Sequence, residues 1–314
     1  MRVLLTGAAG FIGSHVAGRL LARGDEVVGL DNFDPFYERP IKERNLASLP
    51  GGIELLEGDI RAPDFLERVF APRQFDAVVH LAALAGVRPS IQAPTRYADV
   101  NVVGTARLAD AMVKHDVSLL VFASSSSVYG GNPDVPYRES QRVDRPASPY
   151  AATKRSAELL LSTYQALFGL DVRCLRFFTV YGPRQRPEMA IHKFCRLIDE
   201  GAAIPMFGDG SSSRDYTFVD DIVSGTVAAL DRAPAGFQLY NLGNTKPISL
   251  RGLIAKIEAA VGKQALIQQL PAQPGDVPQT WADVSKAEAE LGYHPTVDLD
   301  RGLATFVEWM RNGR

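Results

Sequence analysis

Tyr150 and Lys154 stand four residues apart in SPYAATKRSAELL, a segment that opens a helix and turns both side chains to one face. A phenol with a reference pKa of about 10 is a poor base near neutral pH, and an ammonium one turn away favours the phenolate. Such a pair suits the removal of a proton from a hydroxyl. Alone, YxxxK reads equally well as the surface of an ordinary amphipathic helix. The preceding segment gives it weight: VFASSSSVYG carries a run of hydroxyls, Ser124 to Ser127, where the C-terminal edge of a parallel sheet opens toward a ligand. A serine there can hydrogen-bond the reacting hydroxyl and share its proton with Tyr150. Val121, Phe122, Val128 and Tyr129 on either side argue for a held turn rather than a flexible loop.

The second chemical signal is at the start. Gly7, Gly10 and Gly13 form GxxGxxG between a first strand and a helix. Gly7 permits the tight turn, Gly10 lets backbone approach a pyrophosphate, and Gly13 lets helix and strand pack closely, while the helix N-terminus offers N–H groups to phosphate. The second strand ends at Asp31, 18 residues beyond Gly13. An acid there accepts from the adenosine ribose hydroxyls and opposes a 2′-phosphate, so NAD is expected over NADP. Asp59, in GDI, either reaches the adenine edge or is a solvated loop acid. Lys154 would also hold the nicotinamide ribose.

These residues need a sheet to position them. Val3–Leu5, Glu26–Leu30, Ile53–Leu56, Ala77–Leu81 and Leu119–Ala123 are short apolar runs separated by helix-period segments, among them Phe11–Arg23, stopped by Gly24, and a long helix ending near Lys114. That alternation predicts an α/β, Rossmann-type, doubly wound parallel sheet. After Leu175 the chain becomes richer in Pro, Gly and loops, which predicts a smaller C-terminal substrate-binding lobe. The expected division is 1–175 for the cofactor domain and 176–314 mainly for the lobe, with 237–244 returning to the sheet.

With 314 residues, 46% hydrophobic and 22% charged, the chain can bury a sizeable core. A net charge of −2 without long charged runs gives no reason to expect nucleic acid or a membrane surface as partner. The opening MRVLLTG has no signal-peptide pattern and no apolar run is long enough to span a bilayer, so a soluble, cytoplasmic protein is expected. Cys174 and Cys195 read as reduced, packed thiols, and five scattered histidines give no metal-ligand spacing.

TGAAGFIGSH, HLAA, SSSSVYG, YxxxK, RFFTVYGP and RDYTFVDD, in this order, make the chain similar to the NAD-dependent sugar-nucleotide epimerase/dehydratase family over nearly its whole length. The resemblance implies bound NAD, a sugar-nucleotide substrate and a homodimer built from helices of the cofactor domain. It adds Phe11, Ile12, Asn32, Ile60, Leu81, Ala82, Ala83, Asn101 and Ser124 to the expected cofactor cradle. It makes Ser125 the third catalytic residue.

Within that family a dehydratase carries an Asp-Glu pair directly before VYG and a decarboxylating relative a Glu; here Ser126 and Ser127 stand there and cannot serve as carboxyl acid and base. Epimerisation at C4 through a transient 4-keto sugar remains. Thr179 where neutral-sugar epimerases commonly have Asn, the MAxHK stretch and LPAQPGDVPQTWADVSKAE resemble the UDP-glucuronate 4-epimerases most. Arg186 could then pair with a C6 carboxylate, or be a simple loop arginine; Thr179, Ser126 and Ser127 would supply neutral donors. Arg214 is expected at the diphosphate and Asp276 at the uridine ribose. Arg88 is a further basic candidate or only caps a helix, and His192 reads as packing or a backbone contact. A UDP-glucose/UDP-galactose 4-epimerase, a net nucleotide-sugar oxidoreductase and a non-catalytic NAD-binding regulator stay open as alternatives.

Overall fold

The computed structural model describes residues 1–313. Strands β1 (Arg2–Thr6), β2 (Glu26–Asp31), β3 (Glu54–Glu57), β4 (Ala77–His80), β5 (Leu119–Ser125) and β6 (Asp171–Phe177) alternate with helices. They are followed by β7 (Thr179–Tyr181), β8 (Ala203–Phe207), β9 (Ser213–Phe218), β10 (Phe237–Leu242), β11 (Pro247–Ser249) and β12 (Leu266–Leu270). Among the described residues, seven strands form one parallel sheet in the order β10-β6-β5-β4-β1-β2-β3. The chain leaves β1 in one direction toward β3 and in the other toward β10, and this reversal opens a crevice beyond the carboxyl ends of β1 and β4. The expected return near 237–244 is β10, which pairs with β6 at Asn241↔Arg176.

Alternation along each strand sends side chains to two cores. Val3, Leu5, Val79, Val121 and Leu175 join one buried cluster, which runs on into the C-terminal part through Ile191, Phe194 and Phe306. Leu4, Val78, Leu120, Phe122 and Val172 join the other, under the helices Pro63–Phe70, Gly104–Lys114 and Pro149–Phe168. Apolar residues on both faces are what a sheet covered on both sides requires.

Two helices place the site. Phe11–Arg23 starts at Gly10 and stops at Gly24, whose φ of 89° is the left-handed C-cap that glycine adopts without strain. Pro149–Phe168 is started by Ser148, whose hydroxyl accepts from Ala151 N, with Pro149 in the first turn. The single long helix expected to end near Lys114 is instead Val87–Gln92, Pro94–Ala98, a π-helical turn Asp99–Val103, and Gly104–Lys114. Pro94 cannot continue the first piece, and in the π turn the Asn101 side chain bonds the backbone of Leu84 at both N and O.

Candidate active site

A cleft of about 470 Å³ lies over the carboxyl ends of the central strands and is lined by the glycine loop, the serine turn, Tyr150, Lys154 and segments of the C-terminal part. At its floor a Cβ on Gly7 would lie 2.8 Å from Ala82 N, and one on Gly13 would lie 2.0 Å from the Gly7 carbonyl oxygen. Only glycine fits either position. No side chain caps the helix beginning at Phe11, which leaves the leading N–H groups, with Phe11 and Ile12 on the cleft wall, for a phosphate. Leu81, Ala82 and Ala83 form the opposite wall, and Leu81 N and Ala82 N are fixed by the Thr6 carbonyl and hydroxyl at 3.1 and 3.2 Å.

Asp31 is buried at the end of β2 and its carboxylate accepts from Ala9 N at 3.1 Å and Phe33 N at 2.9 Å, so it holds the glycine loop as well as facing the cleft. Asn32 and Ile60 also line the cleft. Asp59 does too, but both of its oxygens are engaged by Arg61 and one also by Asn32 Nδ2 at 3.0 Å. The Arg61 guanidinium holds its pKa down at about 2. This set of backbone donors, glycine clearances and a buried acid fits a dinucleotide.

Tyr150 and Lys154 project from one face of their helix, as spaced. Burial pushes the Tyr150 pKa up, against the Ser125 hydroxyl hydrogen-bonded to it and the Arg186 charge, which both pull it down. The Lys154 ammonium, one helical turn from Tyr150, donates to the Ala123 carbonyl at 2.6 Å. Burial lowers Lys154 itself to about 8.

The serine turn divides its labour. Ser124 lines the cleft by its main chain, because its hydroxyl turns under the strand to Glu158 at 2.6 Å, where Glu158 also makes a buried bidentate pair with Arg176. Ser125 Oγ accepts from Ser127 N at 3.2 Å. Ser126 is buried on the wall, and the Ser127 hydroxyl is buried without a hydrogen-bond partner.

Thr179, at the start of β7, and Arg214, on β9, face the same space. Arg186 faces it from a turn clamped by Gln185, whose amide bonds the Val180 carbonyl and whose own carbonyl meets His192 Nδ1 at 2.6 Å; His192 is thus a backbone contact, as expected. The Arg186 guanidinium lies 5.2 Å from the Phe36 ring centroid, with Glu188 3.1 Å from its Nε. Two expectations need correction. Asn101 does not line the cleft; its amide is taken by the Leu84 carbonyl and by Thr153 of the catalytic helix at 3.1 Å. Arg88 does not line it either, but reaches across to Asp276 Oδ2 at 2.8 Å, orienting that carboxylate instead of capping its helix. Sequence reasoning missed Phe36, Tyr37, Lys42 and Met189, all on the cleft wall; the aromatic pair in NFDPFY was the available signal.

Residues 3–243 match the model of the NAD dependent epimerase/dehydratase family. The chain is 43% identical to the UDP-glucuronate 4-epimerase of Thermodesulfobacterium geofontis over 98% of its length and 95% of the relative's. Among solved structures it is similar to UDP-glucuronic acid 4-epimerase from Bacillus cereus, in complex with UDP-glucuronic acid and NAD, with 37% identity, full coverage of both chains and a TM-score of 0.93. It is also similar to UDP-glucose 4-epimerase from Thermotoga maritima with UDP-glucose, at 32% identity and the same TM-score of 0.93, covering 100% of this chain and 99% of that one.

Proposed function

We propose that this chain, which belongs to the NAD dependent epimerase/dehydratase family, inverts C4 of a UDP-sugar with NAD as cofactor, converting UDP-glucuronate to UDP-galacturonate. Backbone likeness alone does not choose the sugar, since relatives acting on UDP-glucuronic acid and UDP-glucose superpose equally well, but the 43% identity to a UDP-glucuronate 4-epimerase favours UDP-glucuronate. The observation within the cleft that supports the choice is Arg186, a largely buried guanidinium lining the same cleft as Tyr150 and Thr179 and able to pair with a C6 carboxylate.

Gly7, Gly10, Gly13 and Asp31 hold the NAD, which when bound supplies the group that accepts and returns the C4 hydride. Tyr150 takes the C4 hydroxyl proton, with Ser125 sharing it, and Arg186 favours the phenolate while pairing with the C6 carboxylate. Ser126, Ser127 and Thr179 donate to the sugar; the unpartnered Ser127 hydroxyl is ready for such a contact. Arg214 meets the diphosphate, and Asp276, oriented by Arg88, the uridine ribose. No carboxyl group replaces Ser126 or Ser127, so elimination and decarboxylation lack their acid and base.

Residues 1–175 carry the cofactor and 176–314 mainly the sugar nucleotide in this reading. In this reading the protein acts in the cytoplasm as a homodimer; exposed Leu159, Leu167 and Phe168 on the catalytic helix offer apolar surface for a second copy, and among the described residues no helix is long and apolar enough to cross a membrane. Glu188 beside Arg186 favours a second reading, in which the arginine is neutralised and UDP-glucose and UDP-galactose are the pair. Incubation with UDP-glucuronate and, separately, UDP-glucose, followed by resolution of the C4 epimers, decides. UDP-galacturonate without net nicotinamide absorbance change supports the proposal; galactose product alone supports the second reading, and net absorbance change means an oxidoreductase.

A further inference from the structure

The adenosine end of the cleft holds a buried cation that the chemistry above does not use. Lys42, on the helix Arg39–Ala47, has a side chain only 7% exposed, lines the cleft, and lies 3.8 Å from Asp31 Oδ1. Its ammonium carries three N–H groups. One goes to the Asp34 carbonyl at 2.9 Å; the Asp31 oxygen attracts the charge but lies beyond hydrogen-bond length, and the Tyr37 ring centroid is 4.9 Å away. Burying a lysine without full pairing is costly unless something in the cleft completes it. The neighbouring cation, Arg39, is already held by Glu57 at 2.7 Å and Glu43 at 2.8 Å.

We infer that Lys42 and Asp31 read the adenosine ribose together and that Lys42 is a latent site for a 2′-phosphate. A carboxylate and an ammonium side by side offer an acceptor and a donor to a vicinal diol. The Asp31 carboxylate opposes a 2′-phosphate and offsets the attraction of the ammonium 3.8 Å away, so an uncharged residue at 31 leaves a buried ammonium facing the 2′ position. Cofactor choice is therefore one substitution from reversal, because the cation needed for NADP is already in place. This rests on the reading of the cleft as an NAD site.

The test is competition on the purified protein: equimolar NAD and NADP in excess, removal of free nucleotide, denaturation, and chromatographic counting of what was retained. Wild type is expected to retain NAD. Asp31→Asn keeps an oxygen for Ala9 N or Phe33 N and should shift the NADP:NAD ratio toward NADP by roughly a hundredfold, the scale of removing one nearby charge. Adding Lys42→Gln, which keeps a neutral donor for the ribose but no charge for a phosphate, should cancel at least about tenfold of that shift; Lys42→Arg should preserve it. The ratio cancels general damage to folding, which thermal melting follows in parallel. A shift in Asp31→Asn that stays the same when Lys42→Gln is added overturns the inference about Lys42. Wild type that retains neither nucleotide, or retains NADP, overturns the NAD reading instead.

Discussion

The two ends of the cleft are built by different physics. At the cofactor end backbone does the work: Gly7 and Gly13 leave no room for a Cβ, uncapped helix N–H groups face the phosphate site, and Asp31 is tied to the loop it faces. At the sugar end side chains from distant segments converge. Arg186, Thr179, Arg214 and Asp276 meet the serine turn, and two of them arrive with ion-pair partners of their own, Glu188 for Arg186 and Arg88 for Asp276. The first kind of site tolerates no added volume; the second tolerates substitution but changes what it selects.

The sharpest way to break this contrast is steric. Gly13→Ala places a methyl 2.0 Å from a carbonyl oxygen, and the strand–helix turn must distort, at a cost on the order of 3 kcal/mol or more. Loss of retained NAD and a drop in Tm are expected. Gly275→Ala at the sugar end, where φ is +82° and the methyl meets Val87 Cγ1 at 2.9 Å, should cost only about 1 to 2 kcal/mol and leave NAD bound. Comparable damage from both would remove the distinction.

Tyr150→Phe keeps the ring and its edge contact with Tyr97 while removing the proton acceptor. Turnover should fall by about 10² to 10⁴ with bound NAD retained. Near-normal kcat in the Phe variant would show that another group is the base.

Arg186→Ala isolates specificity. Leaving a C6 carboxylate without its partner costs about 2 to 5 kcal/mol in kcat/KM for UDP-glucuronate, whereas a neutral UDP-hexose should lose much less. Equal losses on both sugars would assign Arg186 to the diphosphate or its loop.

A last effect concerns pH. Lys154 has a folded pKa of about 8 against 10.5 unperturbed, so between these values the unfolded chain binds more protons than the folded one. Its contribution to stability therefore rises with pH across that window. Urea unfolding on either side of about pH 8 should show this rise in wild type, and a flatter dependence in Lys154→Met checks its origin.

What could be read from the sequence follows the same divide. The glycine loop, Asp31 and the Tyr150–Lys154 spacing are local patterns whose geometry a strand–turn–helix or a single helix dictates. Side-chain direction was not legible. Nothing in VFASSSS says that Ser124 turns down to Glu158 while Ser127 stays unpartnered, because the buried Glu158–Arg176 pair that draws Ser124 joins a helix to β6. Asn101 looked like a cradle residue because the π turn that redirects its amide to Leu84 and Thr153 has no sequence signature. The Arg88–Asp276 pair spans 188 residues, and Lys42 reaches the cleft only because its helix folds back beside Asp31. Lys154 faces the Ala123 carbonyl, a direction that spacing leaves undetermined.

The central claim is that one hydride leaves C4 and returns to the opposite face of the same carbon. UDP-glucuronate deuterated at C4, turned over by the wild-type protein in ordinary water, tests it directly by NMR of the product. The account predicts UDP-galacturonate with the deuterium still at C4 and no net change in nicotinamide absorbance. Product that has lost the C4 label to solvent would contradict it, since the hydrogen would then have left as a proton rather than as a hydride held within the cleft.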